Sequence, residues 1–485
     1  MLKPTCRQAC ALCGDFKVIP VSKEIYADII TPISMLRKLA RQSKQYYLLE
    51  SVEGGERWGR YSFLGFDPVV RVIGNQDTVT VKGTDSKTVR GANPMEVIRS
   101  VLAEYRSPKL EDMPPFTGGF VGYFSYELIA VTEPVLKLRD SGFPAFDLML
   151  FDKVIAYDHL RQKITVVANM KAEDGEAGYR RAADEIEEVI RIITDASPLP
   201  EEKADARPEF TCNLSKEAFC SMVEKAKQYI KDGDIFQVVP SRRFEAEYHA
   251  SLLNAYRVLR TTNPSPYMYF MDNGDLQITG TSPETLIKLE QGRLTTYPVA
   301  GSRPRGKTFQ EDQALERELL ADEKELAEHN MLVDLARNDV GKIAEFSSVE
   351  VEAFQIIHRY SKIMHIVSVV GGNIRKENDA CDAIAAMLPA GTLSGAPKIR
   401  ACQIIEELEP QARGLYGGAI GYLDFSGNMD TCIAIRTAVK KQNKVYVQAG
   451  GGIVADSIPE KEYEESGNKA MAVIQAIENA GGVGL

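Results

Sequence analysis

Hydrophobic and polar positions change period along the chain. Between residues 18 and 170 they come in short β-branched or aromatic runs bounded by Gly, Asn and Asp: Gln45-Tyr-Tyr-Leu-Leu-Glu-Ser51, Val69-Val-Arg-Val-Ile73, Thr78-Val-Thr-Val-Lys82 and Lys163-Ile-Thr-Val-Val167. These predict strands, interrupted by helices near 33–43 and 94–105. Residues 176–194 place Ile186, Val189, Ile190 and Ile193 on one face of a charged helix. Residues 195–208 are Pro-rich, charged and aperiodic, as a linker would be. Helices then alternate irregularly with hairpin-like strands: helices over 215–232, 310–338, 379–388 and 459–479, strands over 235–239, 419–424, 432–439 and 445–448. That alternation favours an α+β chain with largely antiparallel sheets over a doubly wound one. The expected organisation is a disordered segment 1–17, an N-terminal region 18–194, a linker 195–208 and a second region 209–480. No repeat of solenoid or propeller period occurs.

Composition narrows the class. The 485 residues are 44% hydrophobic and 26% charged, ordinary for a soluble globular protein. A net charge of -10 argues against a general nucleic-acid or anionic-membrane binder. No apolar run is long enough to span a bilayer, and residues 1–17 lack the apolar stretch of a secretory signal, so a cytoplasmic protein is expected. The eight cysteines fit reduced thiols rather than a disulfide framework. Cys6, Cys10 and Cys13 stand at the C-x3-C-x2-C spacing of radical SAM iron–sulfur sites. No series of βα units follows them, so incidental thiols are the reading adopted.

Two Glu-x-x-Glu doublets carry the first chemical signal. On the 310–338 helix, Leu315, Leu319, Leu326 and Val333 mark one apolar face, while Met331, Leu332 and Leu335 mark an opposite one. Glu328 falls within the second face and Glu325 at its edge, so burial of both is expected. On the C-terminal helix, with Ser457 as the expected N-cap, Glu462 and Glu465 share a face with Lys469, Ala472, Val473 and Ala476. Buried carboxylates need partners, and a hard cation such as Mg2+ binds oxygen ligands. Spacing alone leaves a metal site and a solvated or Arg-paired surface both open.

Other constellations are equivocal alone. Gln448-Ala-Gly450-Gly451-Gly452 ends a strand in three glycines, which fits an anion nest or a tight turn. Residues 391–398, Gly-Thr-Leu-Ser-Gly-Ala-Pro-Lys, fail the phosphate-loop spacing and read as a connecting loop that offers the Thr392 hydroxyl. Among the five His there is no Cys–His–Glu arrangement of a glutaminase; His365, in an apolar run, fits a core histidine or a catalytic one.

Taken in order, these segments resemble one family. Gly280-Thr-Ser-Pro-Glu284, His329-Asn-Met-Leu-Val-Asp-Leu-Ala-Arg-Asn338, Met364-His365, residues 391–398, residues 448–452 and Gly467-Asn-Lys469 follow the order of motifs in chorismate-utilising enzymes: anthranilate, aminodeoxychorismate, isochorismate and salicylate synthases. The resemblance is strong over 210–477 and looser over 18–170. It implies two packed antiparallel β-sheets with helices outside. It implies Mg2+ held by Glu328 and Glu465 with Glu325 and Glu462 close by, the metal binding a chorismate carboxylate. It implies substrate contacts from Gly280, Thr281, Thr392, Tyr416, Arg436, the Gly450, Gly451 and Gly452 backbone, and Lys469. It implies Glu284 as the general acid for the departing C4 hydroxyl, with His365 assisting the proton transfer of pyruvate elimination.

Within that family the nucleophile is set by side chains. Isochorismate and salicylate synthases carry a water-activating Lys where this chain has Gln237; aminodeoxychorismate synthases carry a nucleophilic Lys in Pro-Ile-Lys-Gly, where this chain reads Pro298-Val-Ala300-Gly301. Ammonia attacking C2 remains, the route to anthranilate. Leu48-Leu-Glu-Ser51 and Asn263-Pro-Ser-Pro266-Tyr267-Met268 resemble the tryptophan-inhibition site of that branch, with Ser51, Pro266, Tyr267 and Met268 as contacts. No amidotransferase segment is appended before Leu485, so a separate glutamine amidotransferase subunit is the expected ammonia source, in a heterotetramer. The rival readings are an aminodeoxychorismate synthase component and a non-catalytic tryptophan-binding regulator.

Overall fold

A computed structural model describes residues 1–51, 59–199, 207–359 and 363–482. Among these residues the alternating runs pair into two twelve-stranded sheets in which every pairing is antiparallel. The first runs from Leu2–Lys3 and Val18–Tyr26 at one edge, through Tyr61–Phe66, Gln45–Glu50, Tyr267–Asn273, Leu276–Ser282, Thr437–Lys441 and Lys444–Gly450, to Ser241–Glu247 and Thr211–Cys212 at the other. The second runs from Val299–Pro304 and Ile363–Asn373 through Thr285–Glu290, Met429–Ile433, Ala419–Asp424 and Gly119–Phe124 to Lys87–Arg90, with Glu350–Arg359 also pairing on Ile363–Asn373.

Period-two patterning assigns each strand face to a layer. In Gln45–Glu50, Tyr47 faces the space between the sheets while Tyr46 and Leu48 face helices. In Gly119–Phe124, Val121 and Tyr123 point between the sheets, while Phe120 and Phe124 point outward. The outer face of the first sheet is covered by helices Pro32–Leu39, Gly175–Thr194, Leu253–Thr262 and Pro459–Glu478. The second is covered by Pro94–Ala103, Glu323–Gly341 and Ala380–Met387. The α+β fold of two packed antiparallel sheets with outer helices is the one expected, and no helix of the described residues is long and apolar enough to cross a membrane.

Both sheets take strands from each side of residues 195–208. Gln45–Glu50 pairs with Tyr267–Asn273, and Gly119–Phe124 with Ala419–Asp424. The expected boundary is therefore a boundary in the chain and not between packing units; residues 200–206 of the expected linker lie outside the described ones. Two expectations are corrected. Residues 1–17 are not disordered: Leu2–Lys3 pairs with Val18–Tyr26, a Thr5/Gln8 capping box starts the Cys6–Cys10 helix, and Ala9 is fully buried. Cys6 and Cys10 lie one turn apart on that helix with their sulfurs 4.0 Å from each other, and Cys13 lies in the turn after it. The 310–338 helix is two helices, Phe309–Ala321 and Glu323–Gly341. Asp322 between them is extended and its carboxylate caps the second helix through the Lys324 and Glu325 N–H groups.

One buried ion pair ties the sheets together. Arg71 of the second sheet binds Asp147 through Nε at 2.7 Å and Nη2 at 2.6 Å, while its Nη1 donates to the Asn273 carbonyl of the first sheet at 3.0 Å. Asp147→Ala would leave that guanidinium only the exposed Asp275 carboxylate, 2.9 Å from Nη1, as counter-ion, a loss of about 3 kcal/mol. Urea unfolding should show the lowered midpoint, and the conservative Asp147→Asn should lose less.

Candidate active site

The strand Leu276–Ser282 lies in the first sheet between Tyr267–Asn273 and Thr437–Lys441. A Cβ on Gly280 would come within 2.6 Å of the Tyr269 hydroxyl and 2.9 Å of Thr437 Oγ1, so only glycine fits. The Thr281 N–H donates to the Arg436 carbonyl at 3.2 Å, and its hydroxyl accepts from Asn263 Nδ2 at 3.1 Å. The chain then leaves the first sheet and enters the second at Thr285. Glu284 sits in that crossover, where Ser282 Oγ donates to the Ile433 carbonyl at 2.7 Å.

Glu284 accepts a hydrogen bond from Thr392 Oγ1 at 2.9 Å, Thr392 being held on the short turn Gly391–Leu393. Burial pushes the Glu284 carboxyl up to about 7, against the lowering effect of the Thr392 hydroxyl and the Lys469 charge. Below that pH it holds a proton it can give.

Arg436 lies in the reverse crossover, from Met429–Ile433 back to Thr437–Lys441, with a left-handed backbone (φ 49°). Burial lowers its pKa, and among the described residues no carboxylate pairs with it. A half-buried guanidinium without a counter-ion costs free energy until an anion arrives. Arg436 lines a cavity of about 390 Å³ with His365, Ser302, Arg303 and Pro266. His365, on Ile363–Asn373, has Nδ1 3.3 Å from the Gly301 carbonyl. Burial lowers its pKa, the Gly301 carbonyl raises it and Arg436 lowers it, so the ring is held neutral around pH 7.

The glycine turn closes the other side. Tyr416 is buried beside Gly450, its phenol pushed up by burial. Lys469 Nζ reaches the Gly450 carbonyl at 3.4 Å and Glu465 Oε1 at 2.7 Å. A Cβ on Gly451 would lie 3.3 Å from Glu462 Oε2 and 4.0 Å from Glu465 Oε1, and one on Gly452 would collide with the Gln237 amide. Gln237 is 3% exposed, and Ala300, where a nucleophilic lysine would otherwise stand, is also buried.

The two Glu doublets do face one another. Burial raises the Glu328 pKa and the charges of Glu325 and Glu465 raise it further; Glu462 is raised by burial and by Glu465. Their expected burial is only partly met. Glu325, Glu328 and Glu462 are half-buried, while the Glu465 side chain is 55% exposed beside an exposed Lys469. Among the described residues no three of these carboxylates converge on a ready-made cation cage. In kind the set fits a hard divalent cation: all donors are oxygen, and mutual repulsion is relieved by positive charge.

The residues expected to bind inhibitor gather elsewhere. Ser51, Pro266, Tyr267 and Met268 line a cavity of about 670 Å³ between the sheets, with Tyr61, Phe63, Lys288, Tyr422 and Asp430. Among the described residues the buried Ser51 hydroxyl has no partner, and Tyr267 OH donates to Asp430 Oδ1 at 2.8 Å. Pro266 lines both cavities. Groups that the motifs did not single out support the site from behind. Lys398 Nζ, though inside a noted motif, is buried against Asp339 Oδ2 at 2.8 Å; Arg242 is buried under the C-terminal helix; and Ser368 Oγ binds His329 Nε2 at 2.7 Å. Ser368 and Arg242 sit in strands without distinctive pattern, so nothing local marked them.

A protein-family model described as chorismate binding enzyme matches residues 44–475. The chain belongs to that family, and it is an enzyme of the chorismate-binding class. It is 48% identical to the anthranilate synthase component 1 of Acetivibrio thermocellus over 99% of each chain, and 46% identical to that of Aquifex aeolicus over 97% of this chain and 96% of the relative. The crystal structure of anthranilate synthase component I from Streptococcus pneumoniae TIGR4 matches with a TM-score of 0.77 at 38% identity, over 87% of this chain and 93% of that one. The menaquinone-specific isochorismate synthase of Escherichia coli shares the fold, with a TM-score of 0.70 at 19% identity over 98% of each chain.

Glu284 should titrate near pH 7, visible as a ¹³C-carboxyl signal missing from Glu284→Gln. Thr392→Val removes a bond that favours the charged form, so it should move that titration upward. Because the folded state holds this proton above the ordinary carboxyl range, its stability falls as pH rises towards 7; Glu284→Gln should therefore stabilise the fold at pH 8.

Proposed function

We propose that the chain is the large subunit of a cytoplasmic anthranilate synthase, converting chorismate and ammonia to anthranilate and pyruvate. The observation that carries this reading is a cleft with an acid and anion donors but no lysine at 237 or 300. Gln237 cannot take a proton from water, and Ala300 cannot attack carbon, so ammonia is the nucleophile. Arg436, Lys469 and the 450–452 backbone bind the substrate carboxylates. The ammonia lone pair bonds to C2 as the two ring π bonds each shift one position towards C4, the C4 hydroxyl leaves as water with the proton of Glu284, and the new ammonium nitrogen gives up its excess proton. Thr392 keeps that carboxyl oriented. His365, neutral, helps move the proton lost from C2 as the enolpyruvyl C–O bond breaks and pyruvate departs.

Glu328 and Glu465, with Glu325 and Glu462 beside them, would hold Mg2+, which supplies positive charge for a substrate carboxylate. Tryptophan occupies the cavity of Ser51, Pro266, Tyr267 and Met268 and lowers activity by feedback. Support comes from the aromatic lining, a Ser51 hydroxyl without a partner among the described residues and the Pro266 shared with the second cavity. A glutamine amidotransferase subunit delivers ammonia in a heterotetramer. The names of the relatives, component 1, imply a second component.

The test is fluorescence at the anthranilate emission with chorismate, Mg2+ and an ammonium salt, with and without tryptophan. Anthranilate with stoichiometric pyruvate is expected; aminodeoxychorismate without pyruvate, or isochorismate, would sink the assignment. Glu328→Gln or Glu465→Gln should abolish turnover with the fold intact. Glu284→Gln should lower kcat by about 10²–10⁴-fold. In the unaltered protein kcat/KM should fall about tenfold per unit above pH 7, as the free enzyme's acid loses its proton.

A further inference from the structure

The C-terminal helix Pro459–Glu478 carries Glu462, Glu465 and Lys469, and its first half is held mainly by aromatic and polar contacts. No side chain caps it: Ile458 is the N-cap, and Ser457, expected in that role, instead accepts from the Val454 N–H. Its buried apolar positions, Ala470, Val473, Ile474, Ala476 and Ile477, all lie in the second half. Under the first half, beside the Tyr463 ring that packs edge-on against Phe219, is Arg242 from strand Ser241–Glu247, 3% exposed.

The Arg242 guanidinium stacks 3.7 Å from the Tyr463 ring centroid, with the Phe244 and Phe219 rings at 5.1 and 5.5 Å. Its Nε–H donates to Ser466 Oγ at 3.1 Å and its Nη2 to the Tyr463 carbonyl at 2.6 Å. Among the described residues no carboxylate pairs with it, so aromatic faces and neutral acceptors hold the charge. A Cβ on Gly467 would come 2.8 Å from Nη2, so the glycine is the space in which the guanidinium lies. The contacts fall on 463, 466 and 467, one helical face. At 100° per residue the face of 462, 465 and 469 lies about a third of a turn away.

We propose that Arg242 is a positioning residue: it fixes the rotation of the first half of this helix, and thereby the direction in which Glu462, Glu465 and Lys469 point. The inference rests on the proposed metal-binding role of those carboxylates. Slippage by one residue would turn the face by 100°, carry the carboxylates out of the cleft and put Gly467 and its neighbours in their place.

The experiment is a titration of the full chain with Mn2+ as the probe for Mg2+, free Mn2+ being read by electron paramagnetic resonance without substrate. Mg2+-dependence of turnover is read in parallel. Arg242→Met should weaken Mn2+ binding at least tenfold and raise the Mg2+ needed for half-maximal activity by a similar factor. Gly467→Ala, which crowds the guanidinium while keeping it, should do the same to a smaller extent, and the double variant should be no worse than Arg242→Met. Arg242→Lys, which keeps the stacked cation but not the fork, should fall between. Tryptophan affinity, at a cavity these residues do not line, should be unchanged. A lowered melting temperature with an unaltered metal dependence in Arg242→Met or, should that variant not fold, in Gly467→Ala would overturn the proposal and leave Arg242 a packing residue. Absence of Mn2+ binding in the unaltered chain would overturn the metal-site reading itself and this inference with it.

Discussion

The pairing of Gln45–Glu50 with Tyr267–Asn273 is the contact on which the rest depends. It inserts an N-terminal strand into the sheet that carries Gly280 and Thr281, with Glu50 opposite Met268. That register sets Ser51 beside Pro266 and Tyr267, which creates the larger cavity. A slip of one residue would turn Tyr47 out of the inter-sheet core and Leu48 into it. The register is locked by a buried carboxylate: Glu50 accepts from Ser62 Oγ at 3.1 Å, from Arg260 Nη2 at 2.9 Å and from the Tyr256 hydroxyl. Tyr256 and Arg260 belong to Leu253–Thr262, the helix that leads into residues 263–266. Strand, helix and loop are therefore one mechanical unit. Pro266, at the end of that loop, lines both cavities, and Asn263 in the same loop donates to the Thr281 hydroxyl, so the loop is tied both to the larger cavity and to the strand that carries Gly280 and Thr281.

The cleft is costly to the fold in the way a binding site for an anion must be. Arg436 has no counter-ion among the described residues, Glu284 is half-buried and accepts from the Thr392 hydroxyl, and the doublets repel across the gap. Elsewhere buried guanidinium groups are paired or stacked: Arg413 binds Glu409, Arg71 binds Asp147, and Arg242 lies against aromatic rings. In the cleft the uncompensated charges face an open cavity, where an anionic ligand can reach Arg436. Groups already fixed in a dry cleft need little reorganisation when charge develops, which is how such a site stabilises a transition state.

Local pattern carried the strand alternation, the covered helix faces and the fold class, because each is a consequence of period and burial within a short window. It did not carry the pairing partners. Residues 45–50 and 267–273 meet across an intervening linker, and nothing in either run specifies the other. The break at Asp322 was hidden because Leu319 and Leu326 keep helical spacing through it; only the side-chain cap on Lys324 and Glu325 shows that the helix restarts. The N-terminal segment lies before any strand that its own sequence pattern predicts. It is ordered by edge pairing with Val18–Tyr26 and by the Tyr179 hydroxyl donating to the Pro4 carbonyl, both tertiary contacts. The candidate site was legible as residue types through the ordered motifs, whereas the exposure of Glu465 and the pairing of Lys469 with it were not.

The doublets show why. A Glu-x-x-Glu spacing guarantees that two carboxylates share a helical face, but not the direction of that face. Direction is a tertiary property, and here each helix is fixed from beside its doublet by a polar anchor that no helical motif contains. On Glu323–Gly341, His329 is buried and bonded to Ser368 Oγ, which also accepts from the Gln355 N–H in the neighbouring strand. On Pro459–Glu478, Ser466 and Tyr463 hold the guanidinium of Arg242. Apolar packing alone tolerates rotation of a helix by a fraction of a turn at modest cost, since one methyl group replaces another. Hydrogen bonds to a fixed strand do not, because a rotated helix leaves a buried donor unpaired. Placing such an anchor next to each doublet converts a sequence spacing into a spatial arrangement, and it does so where directional precision matters more than stability.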